Sequence, residues 1–455
     1  MAFISINPAT NETLFTQEAW SAAQLEQALT QVATLQVQWR NTALSERCAL
    51  MRTLAATLRQ QQESLARIIT QEMGKLVTES RAEIEKCALG CEYYAEHGAQ
   101  FLANEVIATD AGKSYVCYQP LGTVLAIMPW NFPLWQVFRF AAPALIAGNT
   151  ACLKHASNVP QCALAIEQLF LDAGFPAGVF RTLMISSAQV SAVIEDPRIH
   201  AVTLTGSENA GRQVAATAGK SIKKSVLELG GSDAFVILED ADLTHTIKNA
   251  VISRYLNGGQ SCIAAKRFIV LDAIADDFVQ GFQRAVESLV CGDPMDPATQ
   301  LAPMARMDLR DELHQQVSDS LAAGAVAVTG CKPLERAGAY YAASILDHVQ
   351  PGMRAYAEEL FGPVAIVIRA RDEQDAIRIA NDSRFGLGGS IWTRDPARGE
   401  RAALQIEAGA VFVNGFVKSD PRLPFGGVKA SGYGRELCHH GLREFVNAKT
   451  VWIGH

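Results

Sequence analysis

The chain lacks the marks of several large protein classes. It has no run of about 18 or more apolar residues, the length that a membrane-spanning helix requires. Its start, Met1-Ala2-Phe3-Ile4-Ser5-Ile6-Asn7-Pro8, has no basic region followed by an apolar core, so no secretory leader is expected. It has no basic excess. Forty Lys and Arg stand against 47 Asp and Glu, a formal net charge of −7, and no stretch is strongly basic. Nucleic acid is therefore not an expected partner, and the acidic balance argues for solubility. The ten cysteines form no CxxC. Cys87 and Cys91 lie four apart in a helical pattern, but no His or Cys pair nearby completes a zinc set, so no metal site is expected. In a chain this long they read as the reduced thiols of a cytoplasmic protein. Internal repeats and low-complexity segments are absent as well.

What is present is ample core. Apolar residues make up 49% of 455 positions, enough for two or three domains. From about position 21 to 98 the pattern is helical. Ser114–Gln119 and Thr123–Met128 then have strand composition, the second apolar throughout, as in a strand buried on both faces. Strands and helices alternate from there to about 229, which predicts an α/β fold with a doubly wound parallel sheet. The alternation restarts after Gly230-Gly231 with strands near 234–238, 267–270, 364–369, 389–392 and 411–413, a second α/β unit. Asn447–Trp452 reads as a terminal strand available to another subunit.

Several stretches carry chemistry. Asn257-Gly258-Gly259-Gln260-Ser261-Cys262 ends a glycine-rich turn on a cysteine, which is either a small buried side chain or a sulfur presented to a ligand. Pro129-Trp130-Asn131-Phe132-Pro133 puts an amide donor on a proline-flanked turn, suited to an oxyanion but also an ordinary turn asparagine. Leu227-Glu228-Leu229-Gly230-Gly231 sets a carboxylate in an apolar strand end, either paired with a buried cation or raised toward neutrality as a general base. Thr205-Gly206-Ser207 lies at a strand-to-helix junction where a phosphate could sit, although GxGxxG is missing and an ordinary N-cap at Ser207 or Asn209 is the stronger explanation on these residues alone. Lys154 ends a buried strand beside that crevice, and Glu359 in Glu358-Glu359-Leu360-Phe361-Gly362-Pro363 could accept from a ribose diol.

Together these stretches, with Pro424-Phe425-Gly426-Gly427-Val428-Lys429, resemble the aldehyde dehydrogenase superfamily, in family order across essentially the whole chain. Asp420–Gly427 is similar to the short enterobacterial succinate semialdehyde dehydrogenases, which are NAD-dependent. The resemblance implies that Cys262 attacks an aldehyde, that Asn131 and the Cys262 N–H hold the oxyanion, and that Glu228 activates water against the thioester. It assigns Lys154, Ser157 and Glu359 to the riboses, and Trp130, Gly206, Ser207 and Phe361 to the rest of the cofactor. It divides the chain into a dinucleotide-binding part (1–101 and 121–229), a catalytic part (230–445) and a β oligomerisation element (102–120 and 446–455). A homodimer or homotetramer is expected.

Two departures bear on specificity. After the ribose lysine the chain reads His155-Ala156-Ser157, without the glutamate that would repel a 2′-phosphate. His155 stands where proline is usual and is expected to crowd the phosphate site, so NAD is the predicted preference with NADP possible. Arg139 is expected to bind the carboxylate of a semialdehyde, with Gln136 and Trp135 lining the same tunnel. A second arginine, six residues before the nucleophile in some members, is Leu256 here, so Ser419 and Arg422 become candidates to complete the clamp. Transfer of the thioester to CoA is the alternative reaction, against which Glu228 argues. A catalytically idle protein is a third reading, against which Cys262, Glu228 and Asn131 together argue.

Overall fold

A computed structural model describes residues 2–455. Two mostly parallel sheets organise it. The first has the spatial order 432–433, 224–228, 199–205, 123–128, 150–155, 180–182, parallel except for the short Gly432–Tyr433 strand at one edge. Thr123–Met128 is flanked by Thr150–His155 on one side and Ile199–Thr205 on the other. The strand order reverses at that gap, the topological switch point where open α/β sheets bind ligands. The apolar run predicted as a doubly covered strand is buried along its length, apart from a half-buried Ile127.

The second sheet runs 326–329, 344–347, 364–370, 265–271, 233–237, 388–392, 410–413, with only the first pair antiparallel. Cys262 lies just before Ala265–Leu271, so this sheet brings the nucleophile loop against the ligand-binding edge of the first. Lys113–Pro120 does not form a hairpin with Thr123–Met128. It pairs over eight residues with Val446–Ile453 of the same chain, and Glu105–Val106 pairs on its far side.

The first helices pack under the first sheet. Val77–Phe101 buries a stripe at helical spacing that includes Ser80, Ile84, Cys87, Cys91, Tyr94 and Gly98. Gly98 is required there, because a Cβ would overlap Ile146 of the crossing helix. Glu83 on the same stripe accepts at 2.9 Å from the backbone N–H groups of both Leu134 and Trp135. Trp135–Ile146 has no side-chain cap of its own, so Glu83 caps it from a distance, and buried Lys75 pairs with Glu83. This cap holds the Pro129–Pro133 turn at the end of Thr123–Met128.

Candidate active site

The nucleophile loop begins where the helix Leu243–Tyr255 stops. Asn257, Gly258 and Gly259 have φ of 57°, 60° and 74°, three consecutive left-handed residues that end the helix sharply. Asn257 tolerates this because its side-chain amide donates to the carbonyls of Asn131 (2.8 Å) and Gln260 (3.0 Å), while its backbone N–H donates to Glu79 (3.0 Å). Gly259 has a second reason to be glycine, since a Cβ would fall on the Gly362 carbonyl. The close approach at Gly259 is therefore to the 359–363 loop.

Two buried cations that the sequence reading did not single out secure this arrangement. Arg254, fully buried, donates to the carbonyls of Leu360 (2.9 Å) and Gly362. Lys266 donates to Ser261 O (2.6 Å) and Cys262 O (2.8 Å) and pairs with Glu359 at 3.0 Å. Glu359 also accepts from the Gly231 N–H at 3.2 Å, which ties the end of the first sheet to the nucleophile loop.

Cys262 lies where two cavities meet. The larger, about 460 Å³, opens at the switch point and is lined by Trp130, Asn131, Gly206, Ser207, Glu359 and Phe361 among others. The smaller, about 100 Å³, lies on the other side of Cys262 under the loop 416–419. Gln136 and Cys262 line both. Burial pushes the Cys262 thiol up to about 12, against the opposing charges of Arg139 and Lys266. The Asn131 amide donates one hydrogen to Gln260 O at 3.1 Å, which leaves its second donor for a ligand.

Glu228 is 2% exposed and lines neither cavity. Neither of its carboxylate oxygens has a hydrogen-bond partner, and Gly426 lies so close that a Cβ would meet Glu228 Oε1 at 2.7 Å. Burial first, and then the neighbouring Glu436 carboxylate, hold Glu228 well above the usual carboxylate range. Glu436 takes the available cation, Arg139. The site thus holds two buried carboxyls around one guanidinium, and burial raises the pKa of both.

The larger cavity suits a dinucleotide. Ser207 caps the helix Glu208–Lys220, accepting from Ala210 N at 3.3 Å, and so leaves other N-terminal amides of that helix for an anion. Trp130 and Phe361 meet edge to face at 5.8 Å across the cavity. Lys154 is 8% exposed at the end of its strand and bonds no protein group among the described residues, so it is a cation without an anion. Burial lowers its pKa. Ser157 is exposed beyond that strand, and neither residue lines the cavity proper. His155 does not crowd this region. It turns into the core, where its Nε2 donates to Pro133 O (2.9 Å), its Nδ1 accepts from Ala156 N (2.8 Å), and burial takes its pKa down to about 4.

The predicted carboxylate clamp is arranged differently from expectation. Arg139 lines the smaller cavity, yet it is paired with Glu436, donates to Thr205 Oγ1 at 3.3 Å and stacks over Phe425. Arg422 is not at the site at all. It is exposed and pairs with Asp420 two residues away. Ser419, Trp135 and Gln136 do line the cavity, with Lys86, which had no sequence signal beyond its place in a helical run.

The chain matches the aldehyde dehydrogenase family model over residues 2–451. It is 49% identical, over the full length of both chains, to a protein of Synechocystis described as a probable succinate-semialdehyde dehydrogenase [NADP(+)]. It is 50% identical, again over both full lengths, to succinate-semialdehyde dehydrogenase [NADP(+)] 1 of Mycobacterium ulcerans. Neither relative is enterobacterial, and both are named for NADP(+). Among solved structures, succinic semialdehyde dehydrogenase of Streptococcus pyogenes, in complex with NADP+, superposes with a TM-score of 0.98 at 40% identity and full coverage of both chains.

Proposed function

This chain belongs to the aldehyde dehydrogenase family, and we propose that it oxidises succinic semialdehyde to succinate with a nicotinamide dinucleotide, NADP in preference to NAD. The observation that carries this reading is the position of Cys262 between a dinucleotide-sized cavity and a small chamber lined by cations and no carboxylate. At about 100 Å³ the chamber is well below the roughly 300–1,000 Å³ of ordinary ligand clefts, which favours a short acyl chain.

The residues divide the work as follows. Cys262, as thiolate, adds to the carbonyl carbon and forms a thiohemiacetal. The free Asn131 N–H and the Cys262 backbone N–H stabilise the oxyanion, worth about 3–4 kcal/mol per donor where water is excluded. What a bound nicotinamide supplies is the hydride acceptor. Glu228 takes a proton from water attacking the thioester on Cys262, and the acid leaves, a role that requires its carboxyl to turn from its buried position toward the cavity. Trp130, Gly206, Ser207, Glu359 and Phe361 line the space for the cofactor, and the resemblance to the family assigns Lys154 and Ser157, which lie outside that lining, to its ribose end. Residues 1–101 and 121–229 form the cofactor part, 230–445 the catalytic part, and 102–120 with 446–455 the subunit contact.

The expected NAD preference gives way here to NADP. No acid stands at position 157 to repel a 2′-phosphate, unpaired Lys154 offers it a cation, and His155 is buried out of the way. The test is NADPH formation from succinic semialdehyde in the absence of CoA, lost in Cys262→Ala, with kcat/KM compared for both cofactors. Ser157→Glu is expected to shift the NADP/NAD ratio toward NAD by roughly tenfold or more, the scale of one charge-assisted contact. A wild-type enzyme that needs CoA, or that favours NAD, contradicts the corresponding part of the proposal.

A further inference from the structure

The short helix Cys438–Arg443 opens on three consecutive residues with metal-binding side chains, Cys438, His439 and His440. In a regular helix, neighbouring side chains point about 100° apart and do not face each other. Here they converge. Leu437 and Cys438 have φ of 64° and 43°, so the backbone doubles back at the helix start. Gly441 permits the tight return, since a Cβ there would meet the Glu436 carbonyl carbon at 2.7 Å. One ligand atom from each of the three residues then lies within 4.8 Å of the other two. Three adjacent ligands match no zinc spacing, so nothing in the sequence marked them.

The imidazoles of His439 and His440 make no hydrogen bond and no ion pair among the described residues. Their contacts are with each other, at 4.1 Å between ring centres, and between His439 and Phe101. Arg443, on the same helix, pairs with Glu105 at 2.9 Å and donates to the Phe101 carbonyl at 3.1 Å. Burial first, and then His440 and Arg443, lower the His439 pKa, so its ring is neutral and able to ligate. Burial raises the Cys438 thiol, and the backbone N–H groups of His440, Gly441 and His439 oppose it by favouring the thiolate.

We propose that Cys438, His439 and His440 form a binding site for one divalent transition-metal ion of the zinc class, separate from Cys262. One thiolate and two imidazoles are a donor set that such an ion prefers. A tetrahedral ion holds its N and S ligands roughly 3–4 Å apart, so the cluster closes on it with a movement of about 1 Å, which rotation of the exposed His440 side chain supplies. Water completes the shell. As the sulfur–metal bond forms, the thiol proton passes to solvent. The site stands at the foot of the loop that roofs the small chamber. The Cys438 N–H donates to Pro421 O at 2.9 Å, and Phe425 and Glu436 exchange backbone hydrogen bonds at 2.7 Å. Val417, Ser419 and Phe425 of that loop line the chamber.

The experiment titrates Co2+, a spectroscopic stand-in for Zn2+, into the full chain carrying Cys262→Ala, which removes the catalytic thiol as a competing ligand. One equivalent is expected to bind with a thiolate-to-cobalt charge-transfer absorption, and Zn2+ should displace it. Adding Cys438→Ser should abolish that absorption and weaken Zn2+ binding roughly 100-fold or more, and His439→Gln and His440→Gln should each weaken it roughly tenfold. His440→Gln changes only the surface, so it tests the site even where Cys438→Ser disturbs the buried turn. No thiolate absorption, an absorption that survives Cys438→Ser, or an affinity unchanged by both histidine variants overturns the assignment.

Discussion

The folded protein raises the Cys262 thiol and the Glu228 carboxyl above their ordinary values, although the chemistry needs each of them deprotonated. The causes differ. For the thiol, burial outweighs two nearby cations. For the carboxyl, burial is reinforced by Glu436, which has already claimed Arg139. The sign of the pH dependence follows. A group raised above its ordinary value loses its proton only at higher pH, so reactivity climbs toward alkaline conditions. Alkylation of Cys262 in the free enzyme by iodoacetamide should accelerate about tenfold per pH unit from neutrality to beyond pH 9, because only the thiolate reacts. A plateau near pH 7 in the measured rate would show that the sulfur is activated in the free enzyme and that burial does not dominate.

The loop from Asn257 to Cys262 works as an element because it is clamped at both ends. Arg254 and Gly259 fasten it to the 359–363 loop, and Asn257 fastens it to Asn131. Gly259→Ala is expected to be among the most damaging small substitutions in the molecule. It combines a left-handed φ with a methyl placed on the Gly362 carbonyl, and strain of this kind costs of order 1–3 kcal/mol or more. Thermal unfolding should fall by several degrees, roughly 2–4 °C per kcal/mol in a large domain. Turnover should fall further than stability, because Cys262 and Asn131 lose register together. Gly258→Ala, whose added methyl comes no closer to another group than 3.4 Å, should be milder in both assays. An equal effect at the two glycines would contradict this account. The same loop shows what sequence can convey. The cysteine, the asparagine and the glutamate were legible because each sits at the end of an apolar strand or in a glycine turn, and those signals are local. Lys266, Arg254, Glu83 and Glu436 were not. Each acts across more than 40 residues or between sheets, and a lysine in a strand or a glutamate in a helix looks locally like any other. The orientation of His155 was misread, and the Glu436 partner of Arg139 unseen, for the same reason: the groups they meet, Pro133 O and Glu436, lie in other elements.

At the scale of the whole molecule, the alternation of strands and helices made both sheets legible, while the pairing of chain ends far apart in sequence was less so. Val446–Ile453 forms the outer strand of the three-stranded sheet, with Lys113–Pro120 on one side only. Its other edge presents an unpaired row of backbone donors and acceptors. Trp452 and Ile453 are about half exposed on it, at 55% and 49%, and Val106 at the opposite strand is exposed to 76%. A long, apolar, open edge is an association site unless something covers it. A second copy of the chain, pairing edge to edge or packing on the sheet face, covers it without any further component. The expected state is thus a homodimer or homotetramer built through this sheet. Trp452→Glu combined with Ile453→Glu should place like charges on the contact and shift sedimentation toward the 49.1 kDa single chain. The active site lies on other elements, so the double variant should still react with iodoacetamide at Cys262. If the wild type sediments as a single chain, or the double variant keeps its assembly, this edge is not the subunit contact and its exposed tryptophan needs another explanation.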